Sequence, residues 1–436
     1  MILMAWMSLA RREEPIIMGQ QQSSRRHDNV VKFGLAMTTR VWYNARIDFG
    51  ASMIFALFNV VLNQFFMPFA IREGASNLQV GLLSAAPAIG LIFSPLWASL
   101  IERTGKPRPF FFIPNAIGRM LLILPALMPH PAVYVMTAIT FQLLMGIQAP
   151  AYVTLISRMY PGQVRGRLMG YVRVAMGALM IPLAYIVGSW SDAVGPKGPL
   201  LAAALFGTVS IILFSTIRLP KQAPSHADAQ ERSKPAATFS IKDQWKLVRE
   251  NRILAVFLLA TTFAGFGNML ANPLYQIIQV DELALTNVQI AFARIAYYIA
   301  LLLTYLIAGW MIDRFDIRYT LMVGICAYAI VPMLYGLWGT YSAVILGNGI
   351  QGMGEAIWDI GILSFIFRLV PGREATVFGL HLMLFGFRGT IGPLLSAGLS
   401  ESVSLTGLLV AASICGWIGT MLFVLGSRGN RLEASG

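Results

Sequence analysis

Asn77-Leu-Gln-Val80 opens one long apolar run, and 210 residues later Asn287-Val-Gln-Ile290 opens another. Other landmarks recur at nearly the same distance. Asn59-x-x-x-Asn63 pairs with Asn268-x-x-x-Asn272, and Glu102-Arg103 with Asp313-Arg314. Arg158-x-x-Pro161-Gly162 pairs with Arg368-x-x-Pro371-Gly372, and Pro182 with Pro393. Five ordered matches at offsets of 209 to 211 residues are the mark of an internal duplication, which must be found before any single element is read.

What is duplicated is a set of membrane spans. Of 436 residues, 56% are hydrophobic and 12% charged, with mean hydropathy +0.66. A soluble domain carries about 25% charge, and single soluble cores stop growing near ~250–300 residues. Apolar runs near twenty residues recur, each long enough to cross ~30 Å of hydrocarbon. They fall at about 47–70, 78–100, 109–129, 131–157, 168–190 and 199–218, then at 252–279, 288–311, 318–338, 341–367, 375–398 and 403–426. The expected fold is therefore an all-α membrane protein of twelve transmembrane helices in two six-helix bundles. Six spans per half give both halves the same orientation, related by an axis along the membrane normal.

The expected domains are an N-terminal extension (1–43), a first half (44–218), a linker (219–251), a second half (252–426) and a tail (427–436). The linker is rich in Pro, Ala, Ser and charge. Its end, Ser240-Ile-Lys-Asp243, reads as a capping box opening a short basic helix through Arg249 on the membrane surface. In the extension, the apolar Met1–Ala10 precedes Arg11 and Arg12, the reverse of a signal peptide. It reads as a loose segment, with Met18 or Met37 as alternative starts.

Charge placement orients the chain. With a cytoplasmic N-terminus, cytoplasmic segments hold 27 of the 33 Lys and Arg, and the opposite loops hold Arg72 and Lys197. That asymmetry puts both termini in the cytoplasm. It accounts for the formal charge of +13 without nucleic acid. Cys326 and Cys415 lie in separate apolar runs, and the four histidines are dispersed, so no disulfide, metal site or cofactor is expected.

Polar residues inside lipid-buried helices face the bundle interior or water. Asn59 and Asn63 lie on one face of the first span; Asn268, Asn272 and Gln276 on one face of the seventh; Asn348, Gln351, Glu355 and Asp359 on one face of the tenth. The fourth span adds Gln142 and Gln148. Glu355 and Asp359 are one turn apart, and mutual repulsion with desolvation makes one of them a candidate proton carrier or cation ligand. The alternative is a buried ion pair with Arg294 or Arg388 that holds helices together. Those two arginines are candidate contacts to an anionic solute; Arg119 and Arg173 are weaker ones. Asp48, at the start of the first span, is expected to be solvated.

The loops Ala98-Ser-Leu-Ile-Glu102-Arg103-Thr-Gly105-Lys106-Pro-Arg108 and Gly309-Trp-Met-Ile-Asp313-Arg314-Phe-Asp316-Ile-Arg318 give the chain its resemblance to the major facilitator superfamily, over about residues 44–426. Pro161-Gly-Gln-Val-Arg165-Gly166-Arg167 is similar to that family's loop between helices 4 and 5. The first copy has Ala98 and Glu102 for the family's Gly and Asp, and the second has Asp316 for its second Gly. The fourth span lacks the family's frequent Arg, and the fifth reads Met180-Ile-Pro182-Leu, without the Gly-Pro pattern of the exporters. The resemblance implies that spans 1, 4, 7 and 10 line a central cavity, and that Glu102, Arg103, Gly105, Gly309, Asp313 and Arg314 form a conformational loop motif. It implies a secondary transporter of a small polar or charged solute, working by alternating access, with protons as the candidate coupling ion. A monomer in the cell membrane is expected, the inner membrane if the source is bacterial. The chain has no Gly-x-x-x-x-Gly-Lys-Ser/Thr stretch, and no catalytic cluster marks it as an enzyme. The alternative function is a membrane sensor or assembly factor of the same fold that has lost transport.

Overall fold

A computed structural model describes residues 29–32, 35–219, 248–314, 316–369 and 374–426. Two short antiparallel strands, β1 (Asn29–Lys32) and β2 (Leu35–Thr38), pair with Asn29 opposite Thr38. The long helices follow. In the first half they are α1 (Thr39–Arg72), α2 (Asn77–Ile92, resumed by Ser94–Thr104), α3 (Pro107–Met120, resumed by Ile123–Leu127), α4 (Pro131–Met159), α5 (Gly162–Val194) and α6 (Lys197–Ser215). In the second half they are α7 (Arg252–Glu282), α8 (Asn287–Arg314), α9 (Ile317–Trp338), α10 (Tyr341–Leu369), α11 (Glu374–Leu399) and α12 (Leu405–Gly426).

Among the described residues eleven helices are long and apolar enough to cross a membrane, so the chain is a multi-pass membrane protein. α10 carries the polar stripe Asn348, Gln351, Glu355 and Asp359.

The repeated landmark at α2 and α8 has a local cause. Ser76 Oγ accepts from the Gln79 N–H, and the Gln79 side chain accepts from the Ser76 N–H at 2.9 Å. Thr286 and Gln289 make the same reciprocal pair at 3.2 and 2.9 Å. Each half therefore starts its second helix with a capping box, which satisfies N–H groups that have no partner within the helix.

Two details differ from the sequence reading, and a third falls outside the described residues. The segment before α1 is a hairpin over the described part of 29–38, and α1 starts at Thr39, inside the stretch read as extension. The linker capping box at Ser240 lies outside the described residues; Val248–Glu250 is helical. Asp48 is not solvated. It is 5% exposed and accepts a 2.8 Å hydrogen bond from Tyr160 Oη at the end of α4, because α1 begins about two turns before Asp48 and carries it into the bundle.

The apolar core is unevenly shared. Toward the face opposite the start of α1, one cluster runs through both halves, including Phe65, Val80, Tyr134, Val187, Leu274, Ile290 and Leu409. Toward the face where α1 starts, two separate clusters replace it. One is built from the first half only, around Trp42, Phe111, Leu155 and Phe214; the other from the second half only, around Phe257, Ile325, Phe365 and Phe423. The halves are joined at one face and part at the other.

Within each half, small residues let helices touch. A Cβ on Gly146 in α4 would stand 2.1 Å from the carbonyl oxygen of Gly90 in α2. A Cβ on Gly352 in α10 would stand 2.2 Å from the Tyr297 carbonyl in α8, the equivalent crossing. Backbone approach of this kind is how helices gain dispersion where lipid gives no hydrophobic drive. Gly146→Val is expected to cost about 1–3 kcal/mol by overpacking and to lower the thermal midpoint of detergent-purified protein. Gly166→Ala, with no neighbour within 4 Å of its added Cβ, does not lower it.

Candidate functional site

A cavity of about 250 Å³ lies inside the second half, between α7, α9, α10 and α11. Its polar lining is Asn268 and Asn272 from α7, Gln351 and Glu355 from α10, and Arg388 from α11. Met269, Trp358 and Phe385 give it apolar walls, and Tyr328 of α9 completes it. The i, i+4 spacing of Asn268/Asn272 and of Gln351/Glu355 turns both pairs to the same side of their helices, which is why two stripes meet here.

Glu355 accepts a hydrogen bond from the Tyr297 hydroxyl of α8. Asp359, one turn on, is exposed and accepts from Tyr305 Oη at 2.6 Å. Neither acid forms an ion pair with Arg294 or Arg388 among the described residues. Arg294 instead lies with Cζ 5.5 Å from the centre of the Tyr297 ring. The Arg294 charge nevertheless acts on Glu355 from beyond ion-pair distance.

Arg388 is 6% exposed. Its Nη1 donates to the Thr261 carbonyl at 2.5 Å, its Cζ stands 5.6 Å from the Phe385 ring centre, and its Nε has no partner. The slot exists because residue 265 is glycine: a Cβ there would lie 2.5 Å from Cζ and 2.6 Å from Nε. Arg119 is the counter-example. It is also buried, but it donates to the Gly207 carbonyl at 2.7 Å, to Ser210 Oγ and to Asn115 Oδ1 at 3.3 Å, with its Cζ 4.5 Å from the Phe55 ring centre. Arg173 is exposed.

The remaining sequence candidates lie elsewhere. Asn63 donates to Asn59 Oδ1 at 2.9 Å, and Asn63 is exposed; neither lines this cavity. Asn63 sits in a π-helical turn, Val61–Phe65, which presents the next residue, Gln64, to Tyr298 Oη of α8 at 3.1 Å. Asn272 Oδ1 accepts from Ser84 Oγ of α2 at 3.3 Å. Gln276 is half-buried off the cavity, Gln148 accepts from Asn115 at 3.1 Å, and Asn348 is buried, donating to Tyr335 Oη at 3.0 Å. Sequence reasoning missed Tyr297, Tyr305, Tyr328 and Trp358. Tyrosine in a span was the available signal, since a buried hydroxyl needs a partner.

In the loop motif Gly105 ends α2 with φ +65°, a left-handed conformation suited to glycine, and its N–H reaches the Ile101 carbonyl at 2.9 Å. Arg103 and Arg314 are exposed; the side chains of Glu102 and Asp313, and the surroundings of Gly309, lie outside the described set. Asp316 caps α9, accepting from the Arg318 N–H at 3.0 Å and pairing with its guanidinium at 2.5 Å.

At the opposite face the halves are bonded directly. Arg72, ending α1, donates to Asn287 Oδ1 and to the Leu285 carbonyl at 2.6 Å. Asp192, near the end of α5, accepts from the Asn287 and Val288 N–H groups at 2.9 Å each. Asn77 donates to Ser400 Oγ, just past α11, at 2.9 Å.

The model of the Major Facilitator Superfamily matches residues 49–265 and 257–434. The chain is 29% identical over 175 residues to the chloramphenicol resistance protein CraA of Acinetobacter baumannii, covering 37% of this chain and 42% of that one. It is 30% identical over 112 residues to the multidrug efflux pump SdrM of Staphylococcus aureus, covering 24% of each. The chain thus aligns with less than half the length of these curated relatives. Among solved structures, the nucleoside transporter NupG superposes with TM-score 0.68 at 14% identity, over 90% of this chain and 100% of that one. A bacterial homologue of the lysosomal transporter Spinster, inward-facing and unoccupied, gives 0.64 at 12% identity over 90% and 98%.

If the split between the halves admits water, Asn272→Cys in a background without Cys326 and Cys415 is labelled by a membrane-impermeant maleimide added on the side where α1 begins. Ser210→Cys, packed under Arg119, resists. Equal protection of both positions from either side would remove this cavity from any aqueous route.

Proposed function

The chain belongs to the Major Facilitator Superfamily, and on that premise we propose that it is a secondary transporter moving a small polar or charged solute by alternating access between two six-helix halves. The observation that carries the reading is the core that is shared at one face and divided at the other. A permanently fused bundle has no reason to divide its core in this way. A protein that rocks two bodies about a central site does, since one face must open while the other is sealed.

In this reading α10 is the twelfth span, its polar face turned to the pathway rather than to lipid. Both termini and the linker lie in the cytoplasm by the distribution of Lys and Arg, and the divided face is the cytoplasmic one. The membrane is the inner membrane of a bacterium, consistent with bacterial relatives. The chain works as a monomer and performs no covalent chemistry.

Coupling is assigned to Glu355 and Asp359. They stand one turn apart, each bonded to a tyrosine hydroxyl, and among the described residues no arginine pairs with either within 4 Å, Arg294 acting on Glu355 from further off. A carboxylate held by a hydroxyl can gain a proton without leaving a buried cation unpaired, whereas one clamped by arginine cannot do so cheaply. Asn59, Asn63 and Gln276 are assigned to the same route in conformations other than this one, and Arg103 and Arg314 to the motif that biases the closing of the cytoplasmic face.

Two outcomes follow. In liposomes with an imposed pH gradient, Glu355→Gln with Asp359→Asn abolishes gradient-driven accumulation and leaves exchange of solute between equal pools; unchanged gradient-driven accumulation would refute the coupling assignment. Asp192→Ala removes a helix cap made across the halves, about 0.5–2 kcal/mol, so the sealed face loosens. The ratio of α1-side to opposite-side labelling of Asn272→Cys then falls roughly two- to thirty-fold.

A further inference from the structure

Among the described residues, Arg388 is a buried cation whose environment is unfinished. Arg119 shows what a finished one looks like: carbonyl, hydroxyl and amide oxygens surround it, and an aromatic ring covers it. Arg388 has one carbonyl, Thr261, and one ring, Phe385, while its Nε is buried with no partner and its side chain forms part of a cavity wall. Buried polar groups left unbonded cost about 1–3 kcal/mol, more when charged. A guanidinium in this state calls for an oxygen ligand, and the favoured one is a planar oxyanion that its donor fork can bind through two parallel bonds.

The rest of the lining narrows the ligand. A second charge, Glu355, lines the same cavity. One cation and one carboxylate together suit a single negative charge and oppose a dianion such as a phosphate monoester. Glu355, Gln351, Asn268 and Asn272 offer acceptors to hydroxyl or amine hydrogens. Met269, Trp358 and Phe385 give an apolar wall, and Trp358 is held by Tyr328 and His381 with ring centres at 6.1 and 5.6 Å. The volume of about 250 Å³ matches a small molecule rather than a peptide or lipid.

We propose that this cavity is a subsite for a small organic monocarboxylate with an apolar body and a hydroxyl or amino group, its carboxylate held by Arg388 in the slot left by Gly265 and its donor group facing Glu355. This rests on the transport reading and adds the substrate class. Gly265 has a part in it. A side chain at 265 would drive the guanidinium from its slot, so the glycine fixes where the anion is held.

Mandelate carries the required groups, and styrene glycol is the same skeleton with a neutral alcohol for the carboxylate. The purified full-length chain is heated in detergent with mandelate, styrene glycol or phenyl phosphate. A ligand that binds only the folded protein raises the thermal midpoint with its concentration. Mandelate is expected to raise it, styrene glycol to leave it unchanged, and phenyl phosphate to act more weakly than mandelate. Arg388→Gln weakens mandelate binding about tenfold or more, the loss of one charged hydrogen-bonding partner. Arg388→Lys restores part of it, and Gly265→Ala weakens it with every charge kept. If Arg388→Gln fails to fold, Arg388→Lys and Gly265→Ala decide. A midpoint indifferent to mandelate, an equal response to styrene glycol, or full binding in the variants that fold would overturn the proposal. Labelling at Asn272→Cys, run on the same protein reconstituted into sealed liposomes, separates the two readings. If that labelling still switches sides in Asp192→Ala while mandelate does nothing, the anion subsite falls and transport stands; if it does not switch, the transport reading falls with it.

Discussion

At the start of α8, the backbone N–H groups of Asn287 and Val288 have no partner in their own helix, as in any helix's first turn. Asp192 of the other half takes both at 2.9 Å. A cap of this kind is worth about 0.5–2 kcal/mol, so it favours keeping the end of α5 near the start of α8 while this face is closed. Arg72, in turn, bonds the Asn287 side chain and the Leu285 carbonyl. The α2–α11 contact is built on the same plan. Asn77, the equivalent asparagine after the first capping box, reaches Ser400 across the halves. The duplicated Asn-x-Gln pattern therefore has two jobs: its glutamine completes the cap within the half, and its asparagine reaches the other half.

These cross-half bonds are individually weak. Interhelical hydrogen bonds in membranes average about 0.6 kcal/mol. Those named here, with Gln64 to Tyr298 and Ser84 to Asn272, sum to about 4 kcal/mol at that figure. Moving a two-state equilibrium from one side to the other takes about 5.5 kcal/mol. The seal is of the size that binding a solute or a proton can offset. A seam sealed by a large buried ion network would be harder to reopen, because each charge would then be left without its partner. The shared apolar core at this face adds non-directional attraction, which permits rocking more readily than a set of fixed bonds would.

Much of this was legible in the sequence for a simple reason. Duplication and span length are one-dimensional properties, and they fix the number, order and orientation of helices before any packing is known. The polar stripes on α7 and α10 were equally legible, since i, i+4 spacing alone puts Asn268 with Asn272 and Gln351 with Glu355. What the stripes could not give was partners. Tyr297, Tyr305 and Tyr328 read as ordinary aromatic residues of α8 and α9, and only the crossing of α8 and α9 with α10 turns them toward the acids. Asp48 was misread because its place at the end of an apolar run looked like a helix end. The helix continues toward the N-terminus through Arg40 and Arg46, so the carboxylate lies beside α4 rather than in water. The first-half candidates Asn59 and Asn63 satisfy each other, an outcome spacing permits as readily as a shared cavity.

The separation of charges in the second half follows from the same helix crossings. Glu355 and Arg388 line one cavity, yet each is turned to a different neutral partner, Tyr297 for the acid and the Thr261 carbonyl for the cation. Gly265 opens a slot on α7 into which the guanidinium lies, and Phe385 covers it from its own helix. The acid is drawn the other way by α8. The small residues of α7 and α10 thus do more than allow tight packing: by deciding how deep each neighbour sinks, they keep a positive and a negative group apart across a space of solute size, each retaining capacity for an outside partner.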